Sequence, residues 1–212
     1  ANRFLNDILP ISMPIFMLDP LATNGLGDGK LLRFKVSAGS NGSVGVGKFT
    51  LRVVTQNATV NNVNVFGFID AQYTQPISGV SLDGRLRVAG QVPNSENEVN
   101  IFPQNGGGSQ TTVQIPAGAI YYFEVQGNVV TNGIGIKNVT TTICGDLVFN
   151  QGGAMTTIAG VESDPNNNFI WSPNFAGISL PTNMDWSNGA GLSGLPSSGL
   201  SQSRVDDSQP LV

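Results

Sequence analysis

The 212-residue sequence predicts an all-β antiparallel sandwich, and three observations carry that expectation. Only 11% of the residues are charged, against roughly 25% in an ordinary soluble domain. The 27 glycines and 12 prolines, with abundant Asn, Ser and Thr, describe short strands joined by turns. Apolar and polar residues alternate with a period of two in several runs bounded by Gly, Pro or Asn, and no stretch sustains a 3.6-residue period with caps, so no long helix is expected.

Taken in chain order, the first element is an apolar arm, Ile8-Leu9-Pro10-Ile11-Ser12-Met13-Pro14-Ile15-Phe16-Met17-Leu18. Leu9, Ile11, Met13, Ile15 and Met17 share one parity and hence one face of a strand, and Pro10 and Pro14 share the other. Prolines of one parity remove N–H donors from one lateral edge only, which leaves the other edge able to pair. A five-residue apolar face demands burial, worth roughly 1.5–3 kcal/mol gross per large side chain. It either covers the chain's own sandwich or inserts into a groove of the next subunit, where backbone pairing supplies affinity and alternate side chains fill pockets. Residues 21–29, with Asn24-Gly25 and Asp28-Gly29, form a linker with reach for the second arrangement.

From Lys30 the alternation is clean: Leu32, Phe34, Val36 and Ala38 fall on one face, Arg33, Lys35 and Ser37 on the other. After the Gly39-Ser40-Asn41-Gly42 turn, Phe49, Leu51 and Val53 make a second apolar face, with Gly45 and Gly47 marking a bulge or bend at its start. The two runs read as a hairpin. Further strands are expected at 62–69, 85–89, 98–102 and 111–115. A tight corner at Ile115-Pro116-Ala117-Gly118 precedes a strand over 120–125 with Tyr121, Phe123 and Val125 on one face, and 133–149 supplies one or two closing strands. This spacing is that of an immunoglobulin-like or jelly-roll β-sandwich. Residues 1–29 are accordingly an N-terminal arm and linker, 30–150 the sandwich domain, and 151–212 an extended Gly/Ser/Pro/Asn-rich C-terminal segment. Ordering such a segment costs roughly 1–2 kcal/mol of backbone entropy per residue, which contacts with neighbouring copies would offset.

Composition also removes most chemistry. With no histidine, a Ser-His-Asp triad and His-based zinc sites are excluded. The single cysteine, Cys144, cannot form an internal disulfide and reads as a buried, inert thiol beside Ile143 and Leu147. Glu162, Asp164, Asn166 and Asn168 echo the start of a calcium loop, but Phe169 stands where glycine is required, so no metal is expected. Asp70, Asp83, Asp146, Glu96 and Glu98 are scattered and read as solvated turn acids, leaving no catalytic residues and no cofactor. The net charge of −4, with ten Lys and Arg spread thinly, gives no stripe to neutralise a phosphate backbone, so nucleic acid is not an expected partner. The roughly 20 unbroken apolar residues of a membrane-spanning helix are missing. An N-terminus at Ala1 is what cleavage of an export signal after a small-residue site leaves. Three Asn-x-Ser/Thr triplets make Asn41, Asn57 and Asn138 candidate glycosylation positions. Trp171 and Trp186 read as anchors docking the C-terminal segment, with a sugar-stacking platform shared with Tyr73, Tyr121 and Tyr122 as the other reading.

The stretches Phe169-Ile170-Trp171-Ser172-Pro173-Asn174, Asp185-Trp186-Ser187-Asn188-Gly189 and Gly194-Leu195-Pro196-Ser197-Ser198-Gly199-Leu200 resemble a signature of predicted surface proteins of the candidate phyla radiation (Patescibacteria) bacteria. The run Leu32-Arg33-Phe34-Lys35-Val36 and the Ile115-Pro116-Ala117-Gly118 corner before Tyr122-Phe123 are similar to immunoglobulin-like modules of those proteins. The resemblance implies an exported, cell-surface sandwich of adhesive or architectural role and brings no catalytic residues. The functional expectation is a non-enzymatic, self-assembling subunit of an extracellular filament or cell-surface layer, a homo-oligomer joined by its N-terminal strand. A carbohydrate-binding adhesin module and a viral capsid shell protein are the alternatives.

Overall fold

The structure, a computed structural model, describes residues 11–87, 98–150, 166–174 and 185–206. The strands are β1 (Pro14–Leu18), β2 (Lys30–Ala38), β3 (Val44–Gln56), β4 (Ala58–Phe68), β5 (Glu98–Ile101), β6 (Val113–Ile115), β7 (Ile120–Thr131), β8 (Lys137–Ile143), β9 (Phe169–Ser172), β10 (Ser187–Asn188) and β11 (Leu200–Asp206). Among the described residues the only helix is a single 3-10 turn, Leu26–Asp28, and none is long and apolar enough to cross a membrane.

Two antiparallel sheets face each other. The first has the order β1-β2-β7-β4; the second runs β10-β9-β3-β8-β11, with β5 and β6 also paired to β3. At 13 residues β3 is long enough to carry two strands in tandem on each edge. One edge pairs β6 through Val44–Val46 and β5 through Phe49–Arg52; the other pairs β9 and then β8. The register with β9 slips between Val46 and Lys48, so Gly47 is the extra residue of a bulge. Its missing side chain matters, because a Cβ there would meet the Trp186 ring at 3.0 Å.

Between the sheets lies a chain of phenylalanines. Phe34 stacks on Phe123 at 5.3 Å, Phe49 lies 5.2 Å from Phe123 and 5.5 Å from Phe169, and Phe16 meets Phe169 edge-on at 4.8 Å. Phe16, Phe34 and Phe123 come from the first sheet, Phe49 and Phe169 from the second. This placement corrects the expected hairpin. β2 pairs β1 and β7, whereas β3 belongs to the opposite sheet. The apolar faces of β2 and β3 meet across the sandwich, with Phe34 and Phe49 5.8 Å apart, because two large apolar faces bury more area face to face than side by side.

The C-terminal division is corrected as well. Phe169-Ile170-Trp171 forms β9 inside the second sheet, and β11 pairs β8 over seven residues, so the described parts of 151–212 complete the sandwich rather than extend from it. An apolar run bounded by Asn and Pro fits a fully buried strand as well as an anchor, and β3 had an unfilled edge to receive it. Of the strand expected at 85–89, only an isolated bridge from Arg85 to Phe66 forms among the described residues, and Val88 and Ala89 lie outside them.

Candidate assembly surface

β1 is the edge strand of the first sheet, and it packs on its own chain. The N–H of Asp19 reaches the Arg33 carbonyl at 3.0 Å, so odd-numbered donors turn toward β2, while Phe16 N–H turns outward to Ser193 O at 2.9 Å. The donor that Pro14 lacks would lie on the outward edge. Gly194 lies against that edge with φ +78°, and any Cβ there would collide with the Phe16 carbonyl.

The face turned inward is the opposite of the expected one. Ser12, Pro14 and Phe16 are buried, and Ser12 Oγ donates to Gly39 O at 2.9 Å. Ile11, Met13, Ile15 and Met17 point to solvent with 46%, 45%, 44% and 62% of their surfaces exposed. Parity was decided by Phe16, whose ring fills the gap between Phe34 and Phe169 as no aliphatic side chain of the other parity would. Leu9 lies outside the described residues. Ile120, 46% exposed, lies two strands from Ile15, with Ser37 of β2 between them.

The linker behind β1 is tied down by β11. The Gln202 amide donates to Leu21 O at 2.6 Å and accepts from Leu21 N–H at 3.1 Å. Arg204, 2% exposed, donates to the carbonyls of Asn24, Gly25 and Lys30 at 2.7, 3.0 and 2.5 Å and to the Asp28 carboxylate at 2.8 Å. A polar strand near the end of the chain thereby fixes the segment that leads out of the N-terminal strand.

Beside the exposed row, the outer face of the first sheet carries a linked group of charged side chains and a tyrosine. Arg33 Nε donates to Glu124 at 2.6 Å and its guanidinium lies 3.9 Å over the Tyr73 ring. Tyr73 OH donates to Asp19 at 2.7 Å, and Lys35 pairs with the same carboxylate at 3.3 Å. Burial and the Asp19 carboxylate hold the Tyr73 hydroxyl protonated well above the ordinary phenol range. These groups satisfy one another and pin the loop after β4 onto the sheet.

The other predicted positions are distributed as follows. Trp171 and Trp186 are both buried; Trp171 Nε1 donates to Asn188 O at 2.9 Å, and Trp186 packs with Phe102 and Ile170 outside the main core. Neither presents a ring to a sugar. Asn41 and Asn57 are exposed, whereas Asn138 is half-buried in β8 with its Oδ1 enclosed. Asp70 caps its own turn by accepting from Gln72, Thr74 and Gln75 N–H groups. Asp146 is buried and accepts from the N–H groups of Asn168, Gly189 and Phe169 at 2.7, 2.8 and 3.2 Å, which binds β9 and the loop after β10 to the end of β8. Burial nonetheless pushes its pKa above the usual carboxylate value. Glu96, Glu162 and Asp164 lie outside the described residues. Among the described residues no three His, Cys, Asp or Glu side chains come together as a metal site. Sequence reasoning missed Lys48, which is 1% exposed and donates to Asn167 O at 2.8 Å while its ammonium lies 5.6 Å from the centre of the Phe102 ring. Its place on the outward parity of β3 gave no hint that a second apolar cluster covers that side.

Cys144 is buried, and burial pushes its thiol up to about 11. Since the thiolate is the nucleophile, native protein at neutral pH is expected to resist iodoacetamide, with alkylation rising sharply in denaturant. Equal rates in mass-spectrometric time courses of native and denatured samples would refute this.

No protein-family model matches the chain, and no curated protein matches it. Among solved structures it is similar, at 7% identity and a TM-score of 0.26, to a chain in the "Complete structure of manganese lipoxygenase of Gaeumannomyces graminis and partial structure of zonadhesin of Komagataella pastoris". That likeness covers 94% of this chain and 50% of the other, so this chain spans about half the length of the one it matches, and it is too slight to assign a family.

Proposed function

We propose that this chain is a structural subunit of an extracellular filament or cell-surface layer, in which copies associate through the N-terminal strand β1. The observation that carries the reading is the row of Ile11, Met13, Ile15 and Met17, left in solvent along β1 and the residues just before it, where β1 already pairs β2 on one edge and meets Ser193 on the other. Contiguous apolar surface of this kind marks interaction sites. A second copy is a fitting occupant because a low-charge chain raises little electrostatic barrier to self-association. Addition of one copy's β1 to β2 of the next is the finer form of the reading, and it requires the Gln202 and Arg204 contacts on the linker to open first.

Removing β1 outright would test this poorly, because Phe16 leaves the core with it. Replacing Met13, Ile15 and Met17 together by lysine changes only outward positions and leaves Phe16 in place. Wild-type protein is expected to form assemblies visible by electron microscopy and analytical ultracentrifugation, and the triple variant to sediment as a folded monomer. A wild type that stays monomeric at high concentration, or a triple variant that assembles equally well, would overturn the proposal.

A further inference from the structure

At the far end of the first sheet from the β1 row, β4 carries a second bulge. Asn61 pairs with Asn128 and Asn64 with Gln126, so Asn62 and Val63 together oppose Gly127. Val63 turns into the core, and Asn62 is the inserted residue, held at φ +55°. Left-handed backbone at a non-glycine residue is uncommon, and a bulge of this kind re-aims a side chain. Here it places two consecutive asparagines on one hollow, which a regular strand would send to opposite faces.

The hollow lies between this bulge and the 3-10 turn. It consists of two adjoining clefts of about 240 and 490 Å³ that share Asp28, Gly29, Asn62, Gly127 and Asn128. The larger falls within the roughly 300–1,000 Å³ of ordinary ligand clefts. Its floor is the close approach of two glycines, with Gly127 N–H donating to Gly29 O at 2.9 Å. Phe66 and Gln126 add a ring and an amide at one end. Asn61, Asn62 and Asn128 make no side-chain hydrogen bonds among the described residues.

We propose that this cleft binds an uncharged, hydroxyl-rich saccharide. Three free amides offer paired donors and acceptors, which match vicinal hydroxyls that are donor and acceptor at once. The Asp28 carboxylate is oriented by Lys30 N–H at 2.9 Å and by Arg204, and its Oδ2, which accepts from Arg204 at 3.3 Å, retains lone-pair capacity. With Asp28 paired to Arg204, the lining offers no uncompensated positive charge to hold an anionic ligand. A metal ion is disfavoured because this carboxylate's charge is already balanced by Arg204, and a purely apolar ligand would leave the amides unpaired. The cleft lies toward the β4 edge of the first sheet, opposite the β1 row, and uses none of the buried tryptophans.

The test is titration of the full chain with mannan, dextran, galactan and chitin oligomers, and with heparin as the charged comparison, followed by saturation-transfer NMR. Two variants delete an amide at little structural cost: Asn62→Gly, which suits the left-handed backbone, and Asn128→Ala, on an exposed position. At least one neutral glycan is expected to bind, with affinity lowered about tenfold or more in each variant (about 1.4 kcal/mol) and unchanged circular dichroism. Failure of every neutral glycan to bind, preference for heparin, or binding indifferent to both substitutions would overturn the assignment. None of these outcomes bears on assembly through β1.

Discussion

Phe49→Ala is expected to destabilise the fold more than any other single truncation, by about 3–5 kcal/mol. Its ring is fully buried and lies 5.8, 5.2 and 5.5 Å from those of Phe34, Phe123 and Phe169, so it bridges the two sheets at their centre. Its backbone is held from both sides, paired with Ile101 of β5 and Phe169 of β9. Neighbouring rings fixed on two different sheets cannot close together over the vacancy, so a cavity term adds to the lost transfer energy. Against a typical stability of roughly 5–15 kcal/mol, that loss takes a large share. Urea unfolding should show a lower midpoint at an unchanged slope. A loss below about 1 kcal/mol would mean the ring is not at a packing junction.

Arg204→Ala is expected to cost about 3 kcal/mol or more, as removal of one member of a buried polar network does. Little of this is charge attraction, since the Asp28 side chain is 45% exposed and its pairing is screened. The larger part is the desolvation of the carbonyls of Asn24, Gly25 and Lys30, which Arg204 satisfies together. The loss should therefore depend weakly on salt. Arg204→Lys should recover only part of it, because an ammonium lacks the planar fork that reaches several acceptors at fixed angles. Hydrogen exchange offers the local readout: in the alanine variant the amide of Val205, which donates to Thr23 O at 2.7 Å, should lose protection first. A lysine variant as stable as the wild type, or an alanine variant whose loss disappears at high salt, would refute the clamp.

How much of this was legible in the sequence depends on the range of the forces involved. Period-two alternation is local, so β2, the inward faces of β3 and β7, and the Gly47 bulge were readable from a few neighbouring residues. Strand partnership is not local: nothing in 30–56 says that β3 leaves the sheet of β2, and that choice follows from area buried between distant faces. The parity of β1 was misjudged by counting aliphatics, when one aromatic ring and a gap between two others decided it. The candidate site was half legible. Ile11, Met13, Ile15 and Met17 share a face as alternation requires, but their exposure depends on what the other face contacts. Asn62 was invisible as a ligand candidate, because its orientation comes from a bulge set by pairing with a strand more than sixty residues later. Arg204 lay in a run of Ser and Gln that reads as solvated chain, and its burial depends on carbonyls near residue 25.

The construction of the second sheet around β3 also sets a timetable for folding. β3 receives β6 and β5 from the middle of the chain, but its other edge waits for β8 and β9, and the clasp on the N-terminal linker waits for β11. Contacts of such long sequence separation require large loops to close first, which places sandwiches among the slower folders, in the range of milliseconds to seconds. A chain still emerging from the ribosome holds β3 with an open edge until residues 169–172 appear, and an unfilled edge is where strands from other copies pair wrongly. The same topology that lets β11 clasp the linker after β1 leaves the edge of β3 open to mispairing until β8 and β9 are in place.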